Sequence, residues 1–318
     1  MPDPIDSDRH ILDCRGRALD LTPFRADGAA VMGVLNVTPD SFSDGGRFLE
    51  VEDAVRRTGE MLDAGASVID VGGESSRPAG SVYGEGAPQV GAEEEKGRVI
   101  PVVEAIRDRY PEAILSVDTY KAEVAREVLE AGAHIINDIT GLRHDPELAE
   151  IVAEHEAGLI LMHSVGEPGE LTHQTGYEDL VGEVKASLKR SLERAREAGL
   201  EDLVVDPGFG FGKSTRGNLR LLAATPEFRE LGRPVMVGVS RKSSIGAVLG
   251  ALRAERTGSD PSEPVPTDER LYGSLGATAV AVVRGASLVR AHDVKETVET
   301  LRLIGATLAS YEPTPVRS

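Results

Sequence analysis

The chain has 318 residues, of which 53 are Asp or Glu and 35 are Lys or Arg, for a formal net charge of −18. That balance excludes general nucleic-acid binding, which needs a basic footprint, and no apolar run approaches the length that crosses a bilayer. Only seven of the basic residues are Lys, and the single cysteine, Cys14, can form neither an internal disulfide nor a cysteine metal cluster; a cytoplasmic setting and a surface adapted to high salt are expected.

Residues 1–28 are polar and could form a short leading hairpin or cap. The first core strand, VMGVLNV at 31–37, stops at Asn36, and NVTPDSFSDGG carries more hydrogen-bonding side chains than packing needs, among them Thr38, Asp40 and Ser41. A helix over 51–64 and the strand SVIDVGG at 67–73 follow, then the turn GGESSRPAG with Ser76, Arg77 and Pro78. Residues 78–92, rich in Gly, Pro and Ala, read as a mobile lid. A helix over 93–109 leads to ILSVDT at 114–119, which ends on Asp118, and a helix over 121–131 leads to HIINDI at 134–139, with Asn137 and Asp138. Next come a helix over 146–157, the strand LILMH at 159–163 with Met162 and His163, and a helix over 180–198. LVVDPG at 203–208 presents Asp206 before the Gly-rich GFGFGKS, in which Phe211 offers an aromatic face. VMVGVS at 235–240 contains Gly238 and runs into SRKS, with Ser240 and Lys242. Residues 253–268 form an acidic, Pro-rich insertion read as a solvated outer loop; LVRAHD at 288–293, with Arg290 and His292, precedes a last helix over 293–310.

Eight strands alternating with helices predict parallel strands joined by right-handed crossovers, either as a doubly wound open sheet or as a TIM (β/α)8 barrel. The count and the length favour the barrel, a single domain over 29–318. So do the polar residues at strand ends: Asn36, Asp118, Asn137, Asp138, His163, Asp206, Ser240 and His292 would meet at one mouth in a barrel, but would be strung along a line in an open sheet.

Each motif has a plainer reading as well. DPGFGFGK is not a Walker A loop, since three residues rather than four separate Gly208 from Gly212, and it could be only a Gly-rich strand exit. Lys242 could merely begin a helix, although a cation is unfavourable there and its presence suggests an electron-rich or anionic partner. His292 alone could be a structural histidine. Two acids and an amide gathered in one barrel core are a stronger signal, because buried carboxylates need partners and a ligand with adjacent N–H groups would supply them.

Taken in order, NVTPDSFSDGG, GGESSRPAG, SVDT, INDITG, DPGFGFGK, SRKS and RAHD resemble the dihydropteroate synthase family, over roughly residues 32–310. The resemblance implies a TIM barrel that joins 6-hydroxymethyl-7,8-dihydropterin pyrophosphate to para-aminobenzoate in folate biosynthesis, releasing pyrophosphate with Mg2+ assisting. It implies that Asp118, Asn137, Asp206 and Lys242 hold the pterin, with Met162, Phe211 and Gly238 lining the slot and Asp118, Asp206 and Lys242 in the catalytic roles. Asn36 would coordinate Mg2+ and, with Arg290 and His292, the pyrophosphate. Ser76, Arg77, Pro78 and Ser240 would shape the para-aminobenzoate site, and Thr38, Asp40 and Ser41 would close over the anion. The family also suggests a homodimer. Ser76 stands where the family usually has Thr, so a methyl group is lost and the hydroxyl kept. A pterin-binding relative without synthase activity and a pterin-dependent methyltransferase are the alternative readings; the anion-binding residues speak against both.

Overall fold

A computed structural model of the chain describes residues 9–37, 46–74, 89–166 and 176–310. Its strands and helices are β1 (Ile11–Cys14), β2 (Arg17–Asp20), β3 (Ala30–Asn36), α1 (Gly46–Asp63), β4 (Val68–Gly72), α2 (Ala92–Arg109), β5 (Leu115–Asp118), α3 (Ala122–Ala131), β6 (Ile135–Asp138), α4 (Glu147–Glu154), β7 (Gly158–Met162), α5 (Leu180–Glu197), β8 (Leu203–Asp206), α6 (Thr215–Ala223), α7 (Thr225–Arg229), β9 (Met236–Val237), α8 (Ser243–Thr257), α9 (Leu271–Val283), β10 (Leu288–Ala291) and α10 (Val294–Ala309). None of the described helices is long and apolar enough to cross a membrane.

Strands β3 to β10 form one parallel sheet in the order β8-β7-β6-β5-β4-β3-β10-β9. A parallel bridge between Val205 and Val235, with the Val205 amide donating to the Pro234 carbonyl at 3.0 Å, joins the two ends of that order. The sheet therefore closes on itself as a TIM barrel, and the open-sheet alternative is set aside.

Side chains alternate between the two faces of a strand. One set, including Val31, Leu35, Ile69, Val71, Leu115, Val117, Ile136, Leu159, Leu161, Val205 and Val289, packs outward against the helices in the main core. The other set points into the barrel. At its N-terminal end Met32, Val68, Ile135, Ile160, Val204, Met236 and Leu288 make an apolar floor. The hairpin β1–β2 plugs that floor with Leu12, Cys14 and Leu19, joined by Leu21. Its two-residue turn, Arg15 and Gly16, takes positive φ at both positions (56° and 79°), the twist that tight hairpins favour. Burial beneath the barrel pushes the Cys14 thiol up to about 12, so it is an inert packing group.

Four helices, α6 to α9, were not among those expected. The α9 sequence LYGSLGATAVAVV has no polar face to mark a helical period. The insertion at 253–268 is also less loop-like than expected. Helix α8 runs on to Thr257, where Gly258 ends it in the left-handed region at φ 74°, and a 3₁₀ turn begins at Thr267. Between them Val265 is buried, its N–H donating to the Gly246 carbonyl at 3.0 Å.

Candidate active site

Two residues above the apolar floor, the same inward-facing register turns polar. Asp70 follows Val68, Asn137 follows Ile135, Asp206 follows Val204 and Arg290 follows Leu288. Asn137, Asp206 and Arg290, with Asp118, Met162, Phe211, Gly238, Ser240, Lys242 and His292, line a slot at the C-terminal mouth, together with Val34, Ile139 and Met236. The structure thus brings together all seven residues expected to hold the pterin, along with Ser240, Arg290 and His292. Asn36 ends β3, exposed at the rim, and Gly72 separates it from Asp118: a Cβ placed on Gly72 would lie 3.7 Å from both the Asn36 Oδ1 and the Asp118 Cβ. Ser76, Arg77, Pro78, Thr38, Asp40 and Ser41 lie outside the described residues, as does most of the expected lid at 78–92.

The slot has an aromatic wall and a charged end. Lys242 Nζ sits 3.9 Å from the Phe211 ring centroid, a cation–π contact. Burial and the nearby Arg290 push the Lys242 ammonium down to about 8. Burial likewise pushes the Asp118 carboxyl up to about 7 against the pull of Arg290, and it raises Asp206 against the Gly208 N–H and the cations Lys242, Lys213 and Arg290. Each of the three is strained toward its neutral form, and a ligand that supplied hydrogen bonds and complementary charge would relieve that cost.

One interior residue lies outside the expected set. Asp70 is fully buried, and its Oδ2 accepts from Arg290 Nε at 2.6 Å and from Asn137 Nδ2 at 3.3 Å. Its mark in the sequence is an Asp in the middle of the apolar run VIDVG, away from the strand ends. Arg290 also reaches Asp118, Nη2 to Oδ2 at 3.1 Å. The guanidinium expected to grip an anion is therefore held between two carboxylates here. Three interior oxygens, Asp70 Oδ1, Ser116 Oγ and Asn137 Oδ1, are buried without a protein partner among the described residues, which leaves the Asn137 amide oxygen ready to accept from a ligand.

Two expected mouth residues face the other way. The pleat that turns Asn137 and Met162 inward turns Asp138 and His163 outward. Asp138 instead holds a tight turn, accepting from the Thr140 amide and hydroxyl, both at 2.7 Å, and from the Leu142 amide at 2.5 Å. His163 is buried behind the slot, and desolvation together with nearby Lys213 and Arg143 drives its pKa down to about 2. His292, at the rim with its Nδ1 3.1 Å from Ser240 Oγ, falls to about 4 through desolvation and the cations Arg290, Arg241 and Lys242. Its ring nitrogens are placed to donate to an anion.

Among the described residues no cluster of three or more His, Cys, Asp or Glu side chains is arranged to hold a metal ion. Mg2+ needs no such cluster where water and substrate phosphates supply most of its oxygens, and the exposed amide oxygen of Asn36 suits that role.

The "Pterin binding enzyme" family model matches residues 32–292. The dihydropteroate synthase of Escherichia coli K12 is 45% identical over 303 residues, covering 95% of this chain and 98% of that protein. A solved Xanthomonas albilineans dihydropteroate synthase with 4-aminobenzoic acid is 42% identical at a TM-score of 0.79, covering 95% of this chain and 99% of that one. The X. albilineans enzyme in complex with 7,8-dihydropteroate is 40% identical at a TM-score of 0.76, covering 95% of this chain and 100% of that one.

Proposed function

This chain belongs to the dihydropteroate synthase family of pterin-binding enzymes, a transferase family of folate biosynthesis, and from that premise we propose how its own residues carry out the reaction. The observation that carries the reading is the convergence of Asp118, Asn137, Asp206 and Lys242 from four different strand ends on one slot walled by Phe211. A reduced pterin is flat and carries adjacent N–H groups. Asp206 and the unpartnered Asn137 Oδ1 accept from them, Lys242 donates to ring acceptors, and Phe211 covers a face.

In the reaction the C–O bond between the pterin methylene and pyrophosphate breaks, and the electron pair leaves with pyrophosphate. The methylene carbon becomes a cation delocalised into the dihydropterin ring. The para-aminobenzoate nitrogen then donates its lone pair to form the C–N bond and loses one proton. An aromatic amine is already a nucleophile, so no strong base is required. The positive ring favours ionised Asp118 and Asp206 beside it, and this preorganised negative charge is the main stabilising element. Arg290 serves the departing anion by exchanging Asp118 for phosphate oxygens while Asp70 keeps hold of its Nε. His292 and Ser240 add donors at the rim. Mg2+, bound through Asn36, would neutralise charge on the leaving group. Ser76, Arg77 and Pro78, with Ser240, are assigned to the para-aminobenzoate side, and Thr38, Asp40 and Ser41 to closure over the anion.

The test is pyrophosphate release by the purified protein. It should require both substrates and Mg2+; a protein that binds the pterin but releases no pyrophosphate with para-aminobenzoate present would be a binding relative instead. The protein is further read as a cytoplasmic homodimer. The apolar side chains Tyr272, Val280 and Val283 of α9 and Leu303 of α10, between 48 and 83% exposed, supply a face for a second copy. Sedimentation of the wild type as a monomer at micromolar concentration would remove that reading.

A further inference from the structure

Lys213 belongs to none of the roles above, yet among the described residues it is the largest side chain buried below 2% exposure. A buried lysine is costly unless its three N–H donors are met. Here three backbone carbonyls meet them: His163 O at 3.1 Å, Gly208 O at 2.8 Å and Phe211 O at 2.7 Å. The first lies just past the end of β7, and the other two belong to the loop that follows β8. Burial pulls its pKa down to about 7 against the nearby Asp206; in its charged form, which supplies all three N–H groups, Lys213 ties together two neighbouring strand exits beneath the slot.

That loop is fixed at every step. The Gly208 amide donates to Asp206 Oδ1 at 2.7 Å, the Gly210 amide to Asn218 Oδ1 at 2.8 Å, and Tyr177 Oη to the Gly212 carbonyl at 3.4 Å. Gly208 sits at φ 73°, and a Cβ there would run into the His163 carbonyl and come within 3.0 Å of Lys213 Nζ. Only glycine leaves the lysine its place. Two groups that line the slot hang from this arrangement: the Asp206 carboxylate, through the Gly208 amide, and the Phe211 ring, whose own carbonyl the ammonium holds.

We propose that Lys213 is a positioning residue for the pterin, fastening the β8 loop from below so that Asp206 and Phe211 meet the pterin ring in register. Without the ammonium, three carbonyl dipoles converge with nothing between them, and the loop must rearrange under Phe211. The inference rests on the assignment of the slot to the pterin.

The experiment is calorimetric titration of 6-hydroxymethyl-7,8-dihydropterin pyrophosphate into wild type, Lys213→Met, Lys213→Gln and Asp206→Asn, with KM for both substrates measured in parallel. Lys213→Met keeps the length and loses the donors; it should weaken pterin binding at least tenfold and leave KM for para-aminobenzoate within twofold. Lys213→Gln, which retains two N–H donors, should fall between it and wild type, and carries the test if the Met variant does not fold. Wild-type pterin affinity in a folded Lys213 variant, with Asp206→Asn defective, would overturn the role of Lys213 alone. Undiminished affinity in Asp206→Asn would overturn the slot assignment itself.

Discussion

Replacing Asp118 by Asn removes one negative charge from the mouth while keeping the shape of the side chain. If the substrate passes through a ring-stabilised cation, a carboxylate about 5 Å from its charge, at an effective dielectric of about 20, contributes about 3 kcal/mol. Exchanging an ionised hydrogen-bond acceptor for a neutral one removes about 1 to 2 kcal/mol more. The sum, about 4 to 5 kcal/mol, corresponds to a loss of about three to four orders of magnitude in kcat/KM. Folding should not suffer, because Arg290 keeps Asp70 at 2.6 Å. Burial raises the Asp118 pKa from 3.8 to about 7, so between those values the folded state binds the extra proton and this group's contribution to stability falls as pH rises. At pH 8 the Asn variant should therefore melt no lower than wild type. The assay is steady-state pyrophosphate release alongside thermal unfolding. A folded Asp118→Asn protein within tenfold of wild-type kcat/KM would refute the reasoning.

Lys242 sets the opposite limb of the pH profile. With Asp118 near 7 and Lys242 near 8 in the free protein, kcat/KM should rise as pH climbs through about 7 and fall as it passes about 8; Lys242→Met should abolish the upper limb and lower kcat/KM at least a hundredfold, and a wild-type profile flat from pH 6 to 9 would contradict both assignments. At the other end of the barrel, Leu21→Ala should cost about 2 to 5 kcal/mol of unfolding free energy, since Leu21 is fully buried in the floor, while leaving both KM values unchanged; denaturant titration and kinetics read the two separately. The charge of −18 predicts that the melting temperature rises steeply between 0.05 and about 2 M KCl as screening removes self-repulsion, and a melting temperature independent of salt would dispose of the high-salt reading.

How far the sequence could be read depended on which physical pattern marked each element. The barrel strands announced themselves because strands covered on both faces are continuous apolar runs, and the amphipathic helices α2, α3 and α5 because solvent wets one side of each. The α9 helix did not, because its residues are small and apolar all round. Within the site, residues at strand ends were legible as polar interruptions, but which face they occupied was not. Asp138 and His163 looked equivalent to Asn137 and Met162 until the two-residue pleat separated them. Asp70 shows the reverse: its inward direction follows from the alternation with Val68, yet nothing local says that Arg290, 220 residues away, would close on it. Lys213 could be seen as a loop lysine, but its three carbonyl partners depend on how β7 and β8 end side by side.

The measurement closest to the central claim follows the bond that must break. Substrate labelled with 18O at the oxygen bridging the methylene and the pyrophosphate is incubated with the protein and Mg2+ while para-aminobenzoate is withheld. If Asp118 and Asp206 stabilise a pterin cation, the bond opens reversibly and the label scrambles into non-bridging positions, quickly in wild type and far more slowly in Asp118→Asn. Label that stays wholly in the bridge, in a preparation that turns over normally once para-aminobenzoate is added, would show that no such cation forms at this barrel mouth.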